Sequence, residues 1–433
     1  MTPRTVAFAT LGCRLNQVDT QQLQTLCETR GFRTVPPEEP ADVVVVNTCA
    51  VTARAECSDR QAIRRAARVS PRARLVVTGC WAQTSPGDVA GLDEVDLVVG
   101  NADKPRLPDL LDDLLAAKIQ VSDIAGERMV PAVLPAPVTG RSRAFLKLQD
   151  GCQHRCAFCI VPRARGQSRS LEPEAALDQA RRLVEDGHLE IVLTGVDLGH
   201  YGADLVPRTT LAALLRDLVA VPGLRWVRLS SVLPAYFTPD LLDIVTSSPV
   251  IAPHVHIPLQ SGSDRVLRRM RRPYHVPLYR RLVERLAAAI PALGLGADVI
   301  AGFPGETDTE FLETVGLIEA LPFSYLHVFP YSARRGTEAA TFADGVAERT
   351  VARRGRKLRE LARAKNLAFR RGLVGRLEDV LVLETRDRVT GRLTGLTGNF
   401  VEVLFEGADA RVKRLARVRV MEAGRDRTLG EIA

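Results

Sequence analysis

Between Thr5 and about Leu115, four short apolar runs (VAFATLGC, VVVVNTC, LVVTGC and DLVVG) alternate with helical patterns, among them Gln17 to Arg30, Ala53 to Val69 and Pro105 to Leu115. No other feature limits the fold as much. A strand that reads as continuous valine is buried on both faces, and such strands alternating with helices build a parallel sheet of βαβ units. Valine packing explains the strands but not what ends them. Cys13, Cys49 and Cys80 close three of the runs, and in an open α/β sheet the carboxyl ends of the strands converge on one crevice. One cysteine there is an ordinary small core residue. Three at equivalent positions point to a metal or cluster site, with buried structural thiols as the alternative, because long separations carry no ligand-spacing signature. Asn47 and Thr48 read as turning the chain before Cys49, while Cys27 and Cys57 fall inside helical stretches and read as packing residues.

After a Pro- and Val-rich linker at Val130 to Gly140, alternation resumes from Phe145. The strands expected are FLKLQDG, EIVLTG, WVRLSS, HVHIPL, ADVIAGFP and YLHVFPY, with helices at Pro173 to Glu185, Asp240 to Thr246, Pro277 to Ala289 and Asp308 to Leu321. Six strand candidates suit an open, partial (β/α) barrel. From about Gly372 the pattern changes to short strands without helices (VLVLE, NFVEVLF, RVKRLARVRVM), which predicts a small OB-like β barrel. The fold class is therefore α/β, in three parts.

Composition narrows the function. Eight cysteines in 433 residues are too sparse for a disulfide scaffold and suit metal or redox chemistry in a reducing compartment. No apolar run approaches the ~18 to 20 residues of a membrane span, and the start, MTPRTVAFATLGC, lacks a signal-peptide core. A cytoplasmic protein without membrane contact is expected. The net charge of +8 leans towards a polyanionic partner.

The densest chemical signal is GCQHRCAFCIVPRARG, with Cys152, Cys156 and Cys159 spaced C-x3-C-x2-C just after the first barrel strand. Three soft thiolates in one loop, with no fourth cysteine or histidine at finger spacing, suit a cluster that keeps one metal position open; a structural zinc site is the alternative. Ligands and catalytic groups of such barrels gather at this end of the strands. His254 and His256 alternate along a strand and read as packed, satisfied histidines.

This spacing and position resemble the radical S-adenosylmethionine superfamily. The resemblance implies that the three thiolates hold three irons of a 4Fe-4S cluster while S-adenosylmethionine chelates the fourth. It sets Phe158 near the nucleoside. ADVIAGFPGET, with Asp298, Gly302 and Glu306, resembles the segment that lines the adenine, and LTGVDLG, with Thr194 and Gly195, occupies the place of the methionine-binding segment. Ser230, Gln260 and Ser261 are nucleoside contacts by position. Without the resemblance, the glycines only make turns, and Asp298 or Glu306 only caps the next helix.

The whole chain resembles the methylthiotransferases: an N-terminal domain over 3–118, a radical S-adenosylmethionine core over 138–368 and a TRAM barrel over 369–433. The resemblance implies a second 4Fe-4S cluster on Cys13, Cys49 and Cys80, replacement of C–H by C–SCH3, and an electron donor such as flavodoxin or ferredoxin. An aromatic C–H offers nothing to a general base, so the cofactors carry the hard step.

Within that family the substrates are tRNA, at the hypermodified adenosine 3' of the anticodon, or an aspartate of a ribosomal protein. Residues 345–371 hold ten Lys or Arg against two acidic residues, and Arg353, Arg354, Arg356 and Lys357 on this helix are expected to meet RNA phosphates. Such a run is otherwise a solvated helix face. Arg163, Arg165 and Arg169, and the run from Arg265 to Arg272, would extend the surface to the cluster, and an OB-like barrel suits the tRNA anticodon stem-loop. VNTCAVT, KLQDGCQHRCAFCIVPRARGQSRS and LTGVDLGHYG resemble the branch acting on N6-threonylcarbamoyladenosine at position 37. LGCRLNQ departs mildly from the LGCKVNQ of related chains. The isopentenyladenosine branch and the ribosomal-protein branch are the alternatives, and a non-catalytic, metal-containing RNA-binding protein is the alternative of another class.

Overall fold

The valine runs form the middle of a six-stranded, wholly parallel sheet ordered β2-β1-β3-β4-β5-β6. The computed structural model describes residues 3–113, 117–130 and 141–433. In this first layer the elements are β1 (Thr5–Thr10), α1 (Arg14–Thr29), β2 (Arg33–Val35), β3 (Val43–Thr48), α2 (Ala53–Val69), β4 (Arg74–Gly79), α3 (Cys80–Thr84), α4 (Pro86–Ala90), β5 (Leu97–Val99), α5 (Leu107–Asp112) and β6 (Ile119–Gln120). All four valines of β3 are buried, alternately in the two clusters on the two faces of the sheet, each contributing about 1.5–3 kcal/mol. The edge strands β2 and β6 are too short to show a hydrophobic run. Asn47 and Thr48 do not turn the chain. They end β3, where Asn47 donates to the Asn16 carbonyl (2.9 Å) and Thr48 to the Thr78 carbonyl (2.5 Å). Cys27 packs into the core as expected, whereas Cys57 is exposed on α2.

The central unit contains β7 (Arg143–Lys147), β8 (Gln149–Asp150), α6 (Val161–Arg165), β9 (Arg169–Ser170), α7 (Pro173–Glu185), β10 (Glu190–Thr194), α8 (Leu211–Leu218), β11 (Trp226–Leu229), α9 (Pro239–Ser247), β12 (His254–His256), α10 (Asp264–Arg269), α11 (Val276–Ala289), β13 (Gly294–Ala301), α12 (Asp308–Ala320) and β14 (Tyr325–Pro330). Two parallel triplets, β7-β10-β11 and β12-β13-β14, meet through single bridges at Val227–Ile251 and Ser231–His256. The result is the six-stranded open barrel expected. Its outward residues, such as Leu146, Leu193 and Leu229, pack under the helices. After Val130 the expected linker lies outside the described residues.

The seam between edge strands β7 and β14 is spanned by the first layer. On one side Val18 of α1 packs on Phe145 and Val192, which face the barrel interior. On the other, the Ala53 N–H at the start of α2 donates to Ser332, just past β14 (3.1 Å), and Glu56 pairs with Arg334. The long helix α13 (Glu348–Arg371) then runs along β14 to a closed five-stranded barrel of β15 (Leu377–Arg386), β16 (Leu393–Thr397), β17 (Glu402–Phe405), β18 (Leu415–Ala423) and β19 (Thr428–Ile432). This barrel docks where the strands of the central unit begin. A Cβ on Gly294 would sit 2.2 Å from the Asn399 carbonyl oxygen, and Phe400, at φ +70°, lies 4.8 Å from the His254 ring. No helix among the described residues is long and apolar enough to cross a membrane.

Candidate active site

The three-cysteine loop leaves β8 and is pinned before it turns. Gln149 donates to the carbonyls of Asp150 (2.9 Å) and Gly151 (2.7 Å) and to Ser168 (2.9 Å), and accepts from the Asp197 N–H (2.8 Å). Backbone bonds from Cys152 to the Gly166 carbonyl and from Ala157 to the Met270 carbonyl, both 3.0 Å, fix its two ends. Each thiol then has an identifiable electrostatic setting. Arg272 Nη1 lies 3.2 Å from Cys156 Sγ, and Asp197, held by Tyr236 at 3.1 Å, stands 3.9 Å from Cys152 Sγ. Burial pushes the Cys152 thiol up and Cys159 to about 11.

The other trio gathers at one sheet edge. Cys13 is the N-cap of α1, Cys49 follows β3 and Cys80 opens α3. Close approach is possible because position 12 is glycine: at φ +93°, any Cβ there would lie 2.8 Å from Cys49 Cβ and 3.0 Å from its Sγ. Burial raises Cys49 to about 12 and also raises Cys80, and each thiol feels Cys13. Arg165 acts on Cys80 and Arg334 on Cys49. Thiols in such surroundings become thiolates when a metal takes them. Among the described residues, the trio of His, Cys, Asp or Glu ligand atoms within 4.8 Å of one another is His256, Asp298 and His327; neither cysteine trio is drawn in so tightly. A zinc ion with bonds near 2.3 Å would need its sulfurs about 3.8 Å apart, whereas a cluster gives each thiolate its own iron. Both trios fit the cluster better.

The residues expected to hold S-adenosylmethionine stand at the same end of the barrel as the loop. Thr194 ends β10, and Gly195, Ser230 and Gly302 lie just past β10, β11 and β13. Gln260 (φ +64°) bridges to Val299. Among the described residues the buried Ser230 Oγ has no hydrogen-bond partner. Phe158 packs edge-on to Phe303, 6.4 Å between centroids. Four of the residues expected there also make bonds within the protein. The Thr194 hydroxyl donates to the Leu146 carbonyl (3.1 Å), and Ser261 bonds Thr314 (3.3 Å). Glu306 holds its own loop, accepting from the Gly302 N–H (2.9 Å) and Arg354 (2.8 Å). Asp298 sits lower, within β13, 3.1 Å from His256 Nε2 and 3.2 Å from His327 Nδ1.

The arginines divide sharply. Arg163, Arg353, Arg356 and Lys357 are exposed. Arg165 and Arg354 are only 2% and 3% exposed and cannot meet RNA: Arg165 bonds Asp150, Asp19 and Asn16, and Arg354 bonds Glu306 and Asp308. Arg169 is also buried beside Asp150. Arg265, Arg269 and Arg271 are paired with Glu310, Asp344 and Glu338. Charge density along a sequence does not distinguish these classes. What sequence reading missed is the polar lining of the barrel interior: Arg143 and Arg228 meet Glu190, Lys147 meets Asp19, and Tyr325, Asp298 and His327 gather around His256, while His254 and His256 are buried and bonded to Tyr325, packed and satisfied as expected. Their signal was a polar or charged residue at alternate positions of otherwise apolar strands.

The sequence matches two family models, "Uncharacterized protein family UPF0004" over residues 5–100 and "Radical SAM superfamily" over residues 146–318. It is 38% identical to the threonylcarbamoyladenosine tRNA methylthiotransferase MtaB of Bacillus subtilis, covering 97% of this chain and 94% of the relative. Identity to the MtaB of Aquifex aeolicus is 40%, with 96% and 100% covered. A tRNA-2-methylthio-N(6)-dimethylallyladenosine synthase of Acidothermus cellulolyticus is 36% identical, with 97% and 86% covered. Among solved structures, the radical S-adenosylmethionine methyltransferase TsrM from Kitasatospora setae superposes with a TM-score of 0.58 at 17% identity, over 76% of this chain and 75% of that one, a likeness of fold. With the three-cysteine loop at the rim of a six-stranded barrel and relatives of this identity along nearly its whole length, the chain belongs to the methylthiotransferase family of radical S-adenosylmethionine enzymes.

Proposed function

We propose that this protein replaces the C2 hydrogen of N6-threonylcarbamoyladenosine, at position 37 of tRNA, with a methylthio group in the cytoplasm. One observation carries the proposal: α1, which begins beside Cys13, lies along the interior wall of the barrel whose rim bears Cys152, Cys156 and Cys159. The helix that begins beside one trio therefore reaches into the barrel that bears the other. The names of the relatives from Bacillus subtilis and Aquifex aeolicus support the choice of adenosine.

Cys152, Cys156 and Cys159 would hold one 4Fe-4S cluster with S-adenosylmethionine, and Cys13, Cys49 and Cys80 a second. When bound, these groups supply the radical that an unactivated aromatic C–H requires and the sulfur that replaces its hydrogen. The chain's own residues do the rest. Arg272 supports the Cys156 thiolate, and Asp197, hydrogen-bonded to Tyr236, orients the start of the loop. Phe158 and the Ser230 hydroxyl border the rim where the nucleoside would sit. The Asp19–Lys147–Arg165 network fixes one sulfur trio relative to the other. Exposed Arg353, Arg356 and Lys357 on α13 would meet tRNA phosphates. The three working units are those of residues 3–118, 138–368 and 369–433, and a flavodoxin or ferredoxin would deliver electrons.

The test is anaerobic incubation of cluster-loaded protein with S-adenosylmethionine, reductant and an anticodon stem-loop bearing threonylcarbamoyladenosine. Nucleoside mass spectrometry is expected to find the 2-methylthio product. No product from this stem-loop, with product from an isopentenyladenosine stem-loop, would overturn the assignment.

A further inference from the structure

Arg14 follows Cys13 directly and opens α1. Among the described residues its guanidinium has no carboxylate within ion-pair distance and no hydrogen bond, only the Phe400 ring 5.9 Å away. The surroundings make this costly. Arg14 is half-buried and shares the Phe400 ring with the guanidiniums of Arg143 and Arg228. Glu190 is already committed: Arg228 grips it at 2.7 and 3.1 Å, and Arg143 stands 3.9 Å away. All three guanidiniums lie over Phe400, Arg143 at 6.0 Å and Arg228 at 5.2 Å. Arg228 and Arg143 thus reach Glu190, and Arg143 also feels Glu384 and Glu402. Arg228 also donates to the carbonyls of Gly398 (2.8 Å) and Thr397 (3.3 Å), so among the described residues Arg14 is the one of the three with no carboxylate within ion-pair distance. A half-buried cation without a counter-charge is destabilising, and one set beside Arg143 at the start of a barrel strand, with two further guanidiniums around it, is a receptor for an anion.

We propose that Arg14 binds the carboxylate of the threonylcarbamoyl group and so selects this adenosine over one bearing an uncharged hydrocarbon; the inference rests on the substrate assignment above. Phosphates stay on the outside of the polynucleotide, whereas an unstacked base carries its substituent inward. Arg14 lies where the barrel strands begin, beneath the rim, so an anion borne by the base is the one that reaches it. The neighbours suit the rest of the group. The Tyr325 hydroxyl stands 2.9 Å from His254 and 3.0 Å from His256, and Asp298 lies between His256 and His327, offering donors and acceptors to a hydroxyl and a urea. An isopentenyl group pairs with none of these and would leave Arg14 half-buried and unmatched.

The test pairs a protein change with a substrate change. Cluster-loaded wild type, R14Q and R14K are assayed on stem-loops carrying threonylcarbamoyladenosine or its carboxylate methyl ester, with iron content checked for each protein. The wild type is expected to favour the acid over the ester by about 100-fold in kcat/KM, mostly through KM. R14Q should lower activity on the acid by about 100-fold and discriminate less than about threefold, while R14K should recover activity to within about tenfold of wild type. An R14Q protein that keeps the wild-type preference would overturn the role of Arg14. Should R14Q fail to load iron, equal use of acid and ester by the wild type would overturn it just as firmly. Failure of the wild type on the acid, with activity on isopentenyladenosine, would instead sink the substrate assignment beneath it.

Discussion

Arg165, six residues beyond Cys159 and at the end of α6, donates to Asp19 of α1 across 3.0 Å. This buried bond ties the loop of one cysteine trio to the helix that begins beside the other. Lys147 and Lys104 complete the setting at 2.7 Å each from Asp19, and Arg165 also holds Asp150 at 3.1 Å.

Breaking one partner should be far worse than removing both. R165M leaves Asp19 and Asp150 short of a cation and is expected to cost about 3–5 kcal/mol in urea unfolding. D19L with R165M should recover part of that loss. A double variant as unstable as the sum of the two single ones would show that the residues do not act together.

The same bond predicts a pH dependence. Burial alone would raise the Asp19 pKa, but Lys104, Lys147 and Arg165 hold it well below its ordinary 3.8. A depressed carboxylate contributes stability above the unfolded value and loses it as pH falls through the folded one. The stability gap between wild type and D19N should therefore be flat from neutral pH down to about pH 5 and shrink below about pH 4. A gap that widens in acid would contradict this.

Two adjacent arginines should behave differently. R353A and R356A, on the exposed face of α13, are each expected to weaken tRNA binding and lower its salt slope by about 1. R354A should leave the slope alone and destabilise the fold, because Arg354 holds Glu306 and Asp308. Filter binding over a salt series, beside thermal melts, separates the two effects.

Docking of the C-terminal barrel turns on one glycine. A side chain at Gly294 would collide with the Asn399 carbonyl oxygen, so G294V should displace the turn that carries Phe400 and expose α13 or β15 to limited proteolysis. Wild-type resistance to protease would show that the contact is dispensable.

The sequence displayed what hydrophobic periodicity and cysteine spacing can encode: valine strands, six barrel repeats, and the thiols at their ends. It did not display β2 or β6, which are too short for a pattern, nor α6 and α10, hidden among arginines. Arg165 and Arg354 looked like their exposed neighbours because a charge run says nothing of which face meets an acid. His256 is the packed, satisfied histidine expected, but its neighbours Asp298 and His327 come from two later strands and were not legible. Arg14 read as a mild departure from LGCKVNQ; only the fold brings it beside Arg143, Arg228 and Phe400.

Iron analysis of anaerobically prepared protein tests the two-trio arrangement most directly. Wild type should hold about eight irons per chain, and alanine at Cys13, Cys49 and Cys80, or at Cys152, Cys156 and Cys159, should leave about four. Only the second triple variant should lose reductive cleavage of S-adenosylmethionine. Zinc in place of iron, or about four irons in wild type with none lost when Cys13, Cys49 and Cys80 are replaced, would contradict it.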